Sequence, residues 1–210
     1  MTTTIKSLKS YKTPLRYPGG KSRACKKMEP YIPDLRDYEV YYEPFLGGGS
    51  VALHITKKYP KLKIVVNDLY EPLYNFWLQL QVNGDYVHSE LQQLKSRFPD
   101  RGSARGLFED AKEKLYDLDI TDKDRAVCFY IINKCSFSGL TESSSFSPQA
   151  SDANFSLRGI DKLPVYSKLI EDWYITNVDY RHLLGDKEKT FIYLDPPYDI
   201  KDNLYGRKGS

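Results

Sequence analysis

The chain has 210 residues, of which 40% are hydrophobic, 14% aromatic and 28% charged, the make-up of an ordinary soluble globular protein with room for one sizeable domain or a domain carrying an insertion. No apolar run approaches the ~18 residues of a membrane span, and the opening stretch "MTTTIKSLKSYKTPLRYPGGK" has no apolar region of the secretory kind. Cys25, Cys128, Cys135 and the three histidines show neither C-x-x-C nor other metal spacing, so the expectation is a reduced, intracellular (cytoplasmic) protein without membrane anchor or metal.

Net charge is +3, unevenly spread. Residues 1–27 hold Lys6, Lys9, Lys12, Arg16, Lys21, Arg23, Lys26 and Lys27, and no acid precedes Glu29, which leaves 23 basic against 28 acidic residues in the other 183. A basic segment on a mildly acidic body suits an anionic partner, nucleic acid foremost; it is also how a solvated terminus reads. The aromatic and β-branched run "YEVYYEPF" (38–45) predicts a strand that ends at "LGGGS". "SVALHITKKY" (50–59) predicts a helix with Ser50 as its N-cap, and "KLKIVVND" (61–68) a second strand ending at Asp68. Strand, loop, helix, strand is a βαβ unit, whose parallel strands call for a sheet covered by helices. From Pro72 to Asn133 the pattern turns helical, in "EPLYNFWLQLQV", "DYVHSELQQLKSRF", "LFEDAKEKLYDL" and "DRAVCFYIINK". "CSFSGLTESSSFSPQASDANFSLRG" (135–159) reads as a loop too long to be idle, either functional or disordered. "DWYITNVDY" (172–180) alternates and predicts a weaker strand ending at Asp179, and "KTFIYLDPPY" (189–198) predicts the last strand.

Two strand ends carry chemistry. After the first, Gly47, Gly49 and Ala52 make the pattern G-x-G-x-x-A between a strand and a helix, and Asp68 follows nineteen residues after Gly49. Glycines let the backbone turn tightly against a ligand, helix-terminal amides face it, and the distant acid accepts ribose hydroxyls. A plain strand-to-helix turn uses triple glycine too, and a dinucleotide enzyme shares the fingerprint. After the last strand stands Asp195-Pro196-Pro197-Tyr198. Asp195 supplies a carboxylate acceptor, the prolines leave carbonyls without matching N–H donors, and Tyr198 offers a flat face. An acceptor pair beside an aromatic plate suits a planar ring bearing an exocyclic amine; Pro-Pro alone merely stops a strand. Ligands of open α/β sheets bind outside the carboxyl ends of the strands, where both segments sit.

Taken together, "LRYPGGKSR" (15–23), "YEPFLGGGSVAL", "VVNDLYEPLYNFW", "INKCSFSGL" (132–140) and "DPPY" resemble, in kind and in order, the motifs of the D12 class, or Dam-like group, of adenine-N6 DNA methyltransferases. The resemblance implies an α/β fold: a Rossmann-like S-adenosylmethionine-dependent methyltransferase sheet with an inserted, mainly helical target-recognition domain. Residues 1–74 would form the cofactor-binding part, 75–170 the insert, and 171–210 the catalytic part, with the rest of the sheet missing beyond DPPY. S-adenosyl-L-methionine would be held by Tyr17, Lys21, Phe45, Gly47, Gly49, Asp68 on the ribose and Asp179 near the adenine. Asp195 would face both donor and target, with Pro196, Pro197 and Tyr198 completing the catalytic corner.

The partner implied is double-stranded DNA, in a bacterial or phage-encoded setting that includes restriction-modification, with Lys134, Phe137 and Arg158 at the bases or phosphates. Ser138 stands where the family has Asn, and the run that follows is serine-rich, so the target sequence is not implied. Runner-up readings are an exocyclic-amine methyltransferase acting on cytosine N4 or RNA, a non-catalytic DNA-binding relative, and a nicotinamide dehydrogenase, the last disfavoured by DPPY. Asp at position 195 favours adenine.

Overall fold

Among the described residues, four short strands pair in parallel in the order β3-β2-β1-β4: β1 (Val40–Glu43), β2 (Lys63–Asn67), β3 (Tyr174–Thr176) and β4 (Thr190–Ile192). The computed structural model describes residues 12–17, 19–139, 144–182, 185 and 188–197. Val40 stands opposite both Lys63 and Thr190, and Asn67 opposite Thr176. The chain therefore steps outward from β1 through β2 to β3, then returns to the other side of β1 with β4. That reversal creates a crevice between the carboxyl ends of β1 and β4, where an open α/β sheet takes its ligand. Among the described residues β4 pairs with β1 alone.

The helices are α1 (Cys25–Met28), α2 (Ser50–Lys58), α3 (Glu71–Val82), α4 (Gly84–Arg97), α5 (Arg101–Lys114), α6 (Asp122–Cys135), α7 (Pro148–Asn154), α8 (Leu157–Ile160) and α9 (Leu163–Leu169). None is long and apolar enough to cross a membrane, among the described residues. One hydrophobic cluster runs without a break from Leu15 through the sheet to Trp173, so the helical segment shares its core with the strands. Phe76 and Trp77 of α3 are its hub. Phe76 meets Phe129 and Tyr130 of α6 at 5.8 and 5.9 Å, and Trp77 meets Trp173 at 5.7 Å. Gln81 bonds the carbonyls of Ile170 and Trp173 and so ties α3 to the chain entering β3.

Three expectations change. Ser50 is the first residue of α2 and its hydroxyl lies 2.9 Å from that of Ser22; the cap position belongs to Gly49. The helix expected at "LFEDAKEKLYDL" begins earlier, at Arg101, because Asp100 accepts from the amides of Gly102 and Ser103 and outweighs the weak helix formers that follow. The segment 135–159 is largely ordered where described: Ser147 and Ser156 cap α7 and α8, and Ser136 pairs with Phe146 in an isolated bridge. Residues 140–143 lie outside the described set. Serine there serves as a local capping group rather than as a flexible spacer.

Candidate active site

The glycine bend is held from several sides. The Leu46 amide donates to the Asn67 carbonyl at 2.8 Å, the Gly47 amide to Asp68 Oδ2 at 2.8 Å, and Trp77 Nε1 to the Gly47 carbonyl at 3.2 Å. Gly49 has φ +68° and sits so close to the Trp77 indole that a Cβ would lie 2.7 Å from its ring. Only glycine satisfies both the left-handed backbone and that approach. Gly49→Ala is expected to cost about 2–4 kcal/mol, the sum of an overpacked contact and backbone strain, read as a lower denaturation midpoint; an unchanged midpoint would show that Trp77 yields freely.

Asp68 has a structural task besides the one foreseen. Its second oxygen accepts from the Tyr70 amide at 3.0 Å, so the carboxylate closes the bend and turns the chain into α3. Burial raises it to about 6, against the lowering effect of those two amides. Asn67, 1% exposed, ties three strand ends together: its amide donates to the carbonyls of Pro44 and Val178, and its oxygen accepts from Thr176 Oγ1 and the Val178 amide.

The carboxyl ends of the strands open into one cleft of about 460 Å³, within the range of small-molecule sites. Tyr17, Lys21, Phe45, Gly47, Gly49, Asp68, Asp179, Asp195, Pro196 and Pro197 all line it; Tyr198 lies outside the described residues. The Tyr17 ring covers the glycine bend, so close that a Cβ on Gly47 would come within 2.8 Å of it. Phe45 and Tyr180 form an aromatic wall with centroids 5.0 Å apart. Asp179 stands at the rim with its carboxylate on the backbone and guanidinium of Arg181, which hold it well below the usual carboxylate range. Lys21 Nζ lies 2.5 Å from Asp195 Oδ2, each side chain about a quarter exposed, and also donates to the Gly19 carbonyl.

Glu43 lines the same cleft and went unnoticed in the sequence, where it reads as a strand end. It is 3% exposed, accepts from the Tyr41 hydroxyl at 2.6 Å and from the Ala52 amide in the first turn of α2, and is raised by burial to about 8. The signal was its place next to Pro44-Phe45 just ahead of the glycines.

The three expected DNA contacts part company. Phe137 is 66% exposed on a short turn after α6 and Arg158 is exposed on α8. Lys134 is corrected: it is only 8% exposed, its ammonium lies 5.1 Å over the Tyr130 ring, and burial beside Arg16 lowers it to about 7. An interior lysine in that setting is not presented to a phosphate; it lies in a stretch of α6 that is buried all round.

A parallel α/β sheet whose strand ends converge on a ligand cleft defines the Rossmann-like class of nucleotide- and cofactor-binding proteins. Within that class, the model of the D12 class N6 adenine-specific DNA methyltransferase family matches residues 17–207, and the chain belongs to that family. It is similar to the type II methyltransferase M.MjaIII of Methanocaldococcus jannaschii (27% identity, covering 88% of this chain and 68% of the relative). It is also similar to the modification methylase StsI of Streptococcus sanguinis (24%; 98% and 32%) and to the type II methyltransferase M.CviBI of Paramecium bursaria Chlorella virus NC1A (24%; 91% and 71%). At the level of class, the chain is a DNA methyltransferase.

Proposed function

We propose that the chain transfers a methyl group from S-adenosylmethionine to N6 of an adenine flipped out of duplex DNA. The observation that carries this reading is the meeting of the glycine bend after β1 and the Asp-Pro-Pro corner after β4 in one cleft. The residues fit the donor. Asp68 retains lone pairs for ribose hydroxyls, Phe45 and Tyr180 wall a planar base with Asp179 beside it, and Asp195 offers a carboxylate to a cationic ligand. The donor supplies an electrophilic methyl group on a sulfonium.

Asp195 and the Pro196 carbonyl accept hydrogen bonds from the adenine amine and draw its lone pair out of ring conjugation. So held, the nitrogen would be aimed by Asp195 and Pro196 at the methyl group the donor would supply, and the proton lost from the amine would pass to solvent. Lys21 must share or release Asp195 for the amine to enter. Orientation and fixed charge supply most of the acceleration, and unpairing the base costs a few kcal/mol. The helical segment 75–170, on which Phe137 and Arg158 are exposed, would read the duplex.

The test uses the chain as it stands with labelled S-adenosylmethionine and long DNA of mixed sequence. Label is expected in N6-methyladenine after hydrolysis; label in N4-methylcytosine instead would overturn the choice of base. S-adenosylmethionine at 100 times its Kd is expected to stabilise the fold by about 2.7 kcal/mol, and NADH at the same concentration to leave it unchanged.

A further inference from the structure

The cleft depends on a strap, residues 12–17 and 19–24, that crosses the glycine bend and carries Tyr17 and Lys21. We propose that Asn133 and Gly139 form the joint that fixes this strap, which makes Asn133 a positioning residue for the cleft although it does not line it.

Asn133 is 2% exposed in the last turn of α6. Its Oδ1 accepts from the Arg16 amide at 2.9 Å, and its Nδ2 donates to the Arg16 carbonyl at 2.6 Å and to the Gly139 carbonyl at 3.3 Å. A side-chain amide thus grips both polar groups of one peptide residue, as a neighbouring strand would. Tyr17 is the next residue, and its ring covers Gly47 and Gly48. Arg16 adds a bond from its guanidinium to the Ser136 carbonyl at 2.6 Å, just past the end of α6.

Gly139 closes the joint from the far side. It has φ +73°, and a Cβ there would stand 2.5 Å from Arg16 Cβ and 2.9 Å from the Arg16 carbonyl oxygen. No side chain fits between the turn and the strap. Upstream, Tyr166 of α9 donates to the Lys12 carbonyl; downstream, Lys21 reaches Asp195. The strap is therefore held along its length, Ser22 adding its contact with the Ser50 hydroxyl, and the pin at Arg16 joins it to the turn that carries Phe137. Each asparagine contact spans 117 residues of sequence to the strap and six to the turn, so the joint brings the basic N-terminal motif and "NKCSFSG" together as one unit.

The functional readout rests on the donor reading of the cleft; the mechanical readout does not. Asn133→Ala and Gly139→Ala are to be compared with the wild-type chain in three measurements. These are S-adenosylmethionine binding by calorimetry, affinity for mixed-sequence duplex, and amide hydrogen exchange over residues 12–24 without ligand. Both variants are expected to bind the donor at least tenfold more weakly and to exchange strap amides at least tenfold faster. Bulk duplex affinity, dominated by cations, should stay within threefold, a split that general loss of structure would not produce. Unchanged donor affinity in a folded variant overturns the proposal, and so does weakened binding with unchanged strap exchange. If Asn133→Ala does not fold, Gly139→Ala reads the same joint from the other side. If the wild-type chain binds no S-adenosylmethionine, the donor reading fails, and ligand-free exchange alone decides the joint: faster in the variants supports it, unchanged overturns it.

Discussion

Asp195→Ala is expected to lower methyl transfer by about 10³-fold or more while the chain stays folded. The basis is geometric. Asp195 follows β4 after two residues, β4 is registered against β1 through Val40, Tyr41 and Tyr42, and the Tyr193 amide bonds the Tyr42 carbonyl at 2.8 Å. The carboxylate is thus carried on a strand end rather than on a free loop, and the two prolines behind it restrict the backbone. Removing one preorganised polar group that acts on the reacting atom costs about 10²–10³ in other enzymes. In the proposed reaction the same group would also stand next to a cationic donor, which argues for the upper end. The loss should fall on kcat more than on donor affinity, since Asp68, the glycine bend and the aromatic wall remain. Asp195→Asn should lose less than Asp195→Ala, because its amide oxygen keeps one acceptor for the amine while the carboxylate charge is lost. Its melting temperature should lie near that of the wild type, the Lys21 ion pair being part-exposed and of small worth to stability. Turnover of Asp195→Ala within tenfold of wild type, measured with labelled donor, would remove Asp195 from the chemistry.

The strands and their order of use were legible because each is a short apolar, β-branched or aromatic run stopped by Gly or Asp, and because the residues that stop them are also the polar ones. What the sequence could not show is the sheet order, which puts β4 beside β1 and so brings residues about 150 apart into one cleft. Lys134 shows a different limit. In "INKCSFSGL" it looks like any exposed lysine beside a polar loop, yet every residue of α6 from Ala126 to Cys135 is buried, so no face of that stretch was free to carry it outward. Glu43 shows a third. A strand-end glutamate is ordinarily solvated, whereas here the Tyr41 hydroxyl and the Ala52 amide of α2 close on a buried carboxyl. Serine was misread twice for one reason: a hydroxyl caps whichever amide the tertiary structure brings near, so Ser50 yielded its cap to Gly49 while Ser147 and Ser156 took theirs.

Glu43→Gln is expected to make the fold more stable at pH 7 and about as stable at pH 5. In the folded chain Glu43 is raised from the ordinary 4.5 to about 8, first by burial and then by the charges of Asp195 and Asp68. Between those values the folded state holds a proton that the unfolded chain has lost. Stability contributed by Glu43 is therefore full below about 4.5 and is lost as pH rises towards 8, at up to about 1.4 kcal/mol per pH unit. Asp68, raised from 3.8 to about 6, acts with the same sign over a lower range. Lys134, lowered from 10.5 to about 7, acts oppositely, adding stability as pH rises above 7. The interval from pH 5 to 7 is thus where Glu43 can be read without Lys134. Glutamine keeps an acceptor for the Ala52 amide and can pair with the Tyr41 hydroxyl, but it carries no titrating proton. The variant should gain about 2–3 kcal/mol over the wild type at pH 7, or about 5–10 °C in Tm for a chain of this size. Calorimetric melting at pH 5, 6 and 7 checks it: wild type and variant should diverge steadily with pH. Parallel Tm curves would mean that Glu43 is ionised in the folded protein, and that the floor of the cleft holds a charge rather than a carboxylic acid before any ligand arrives.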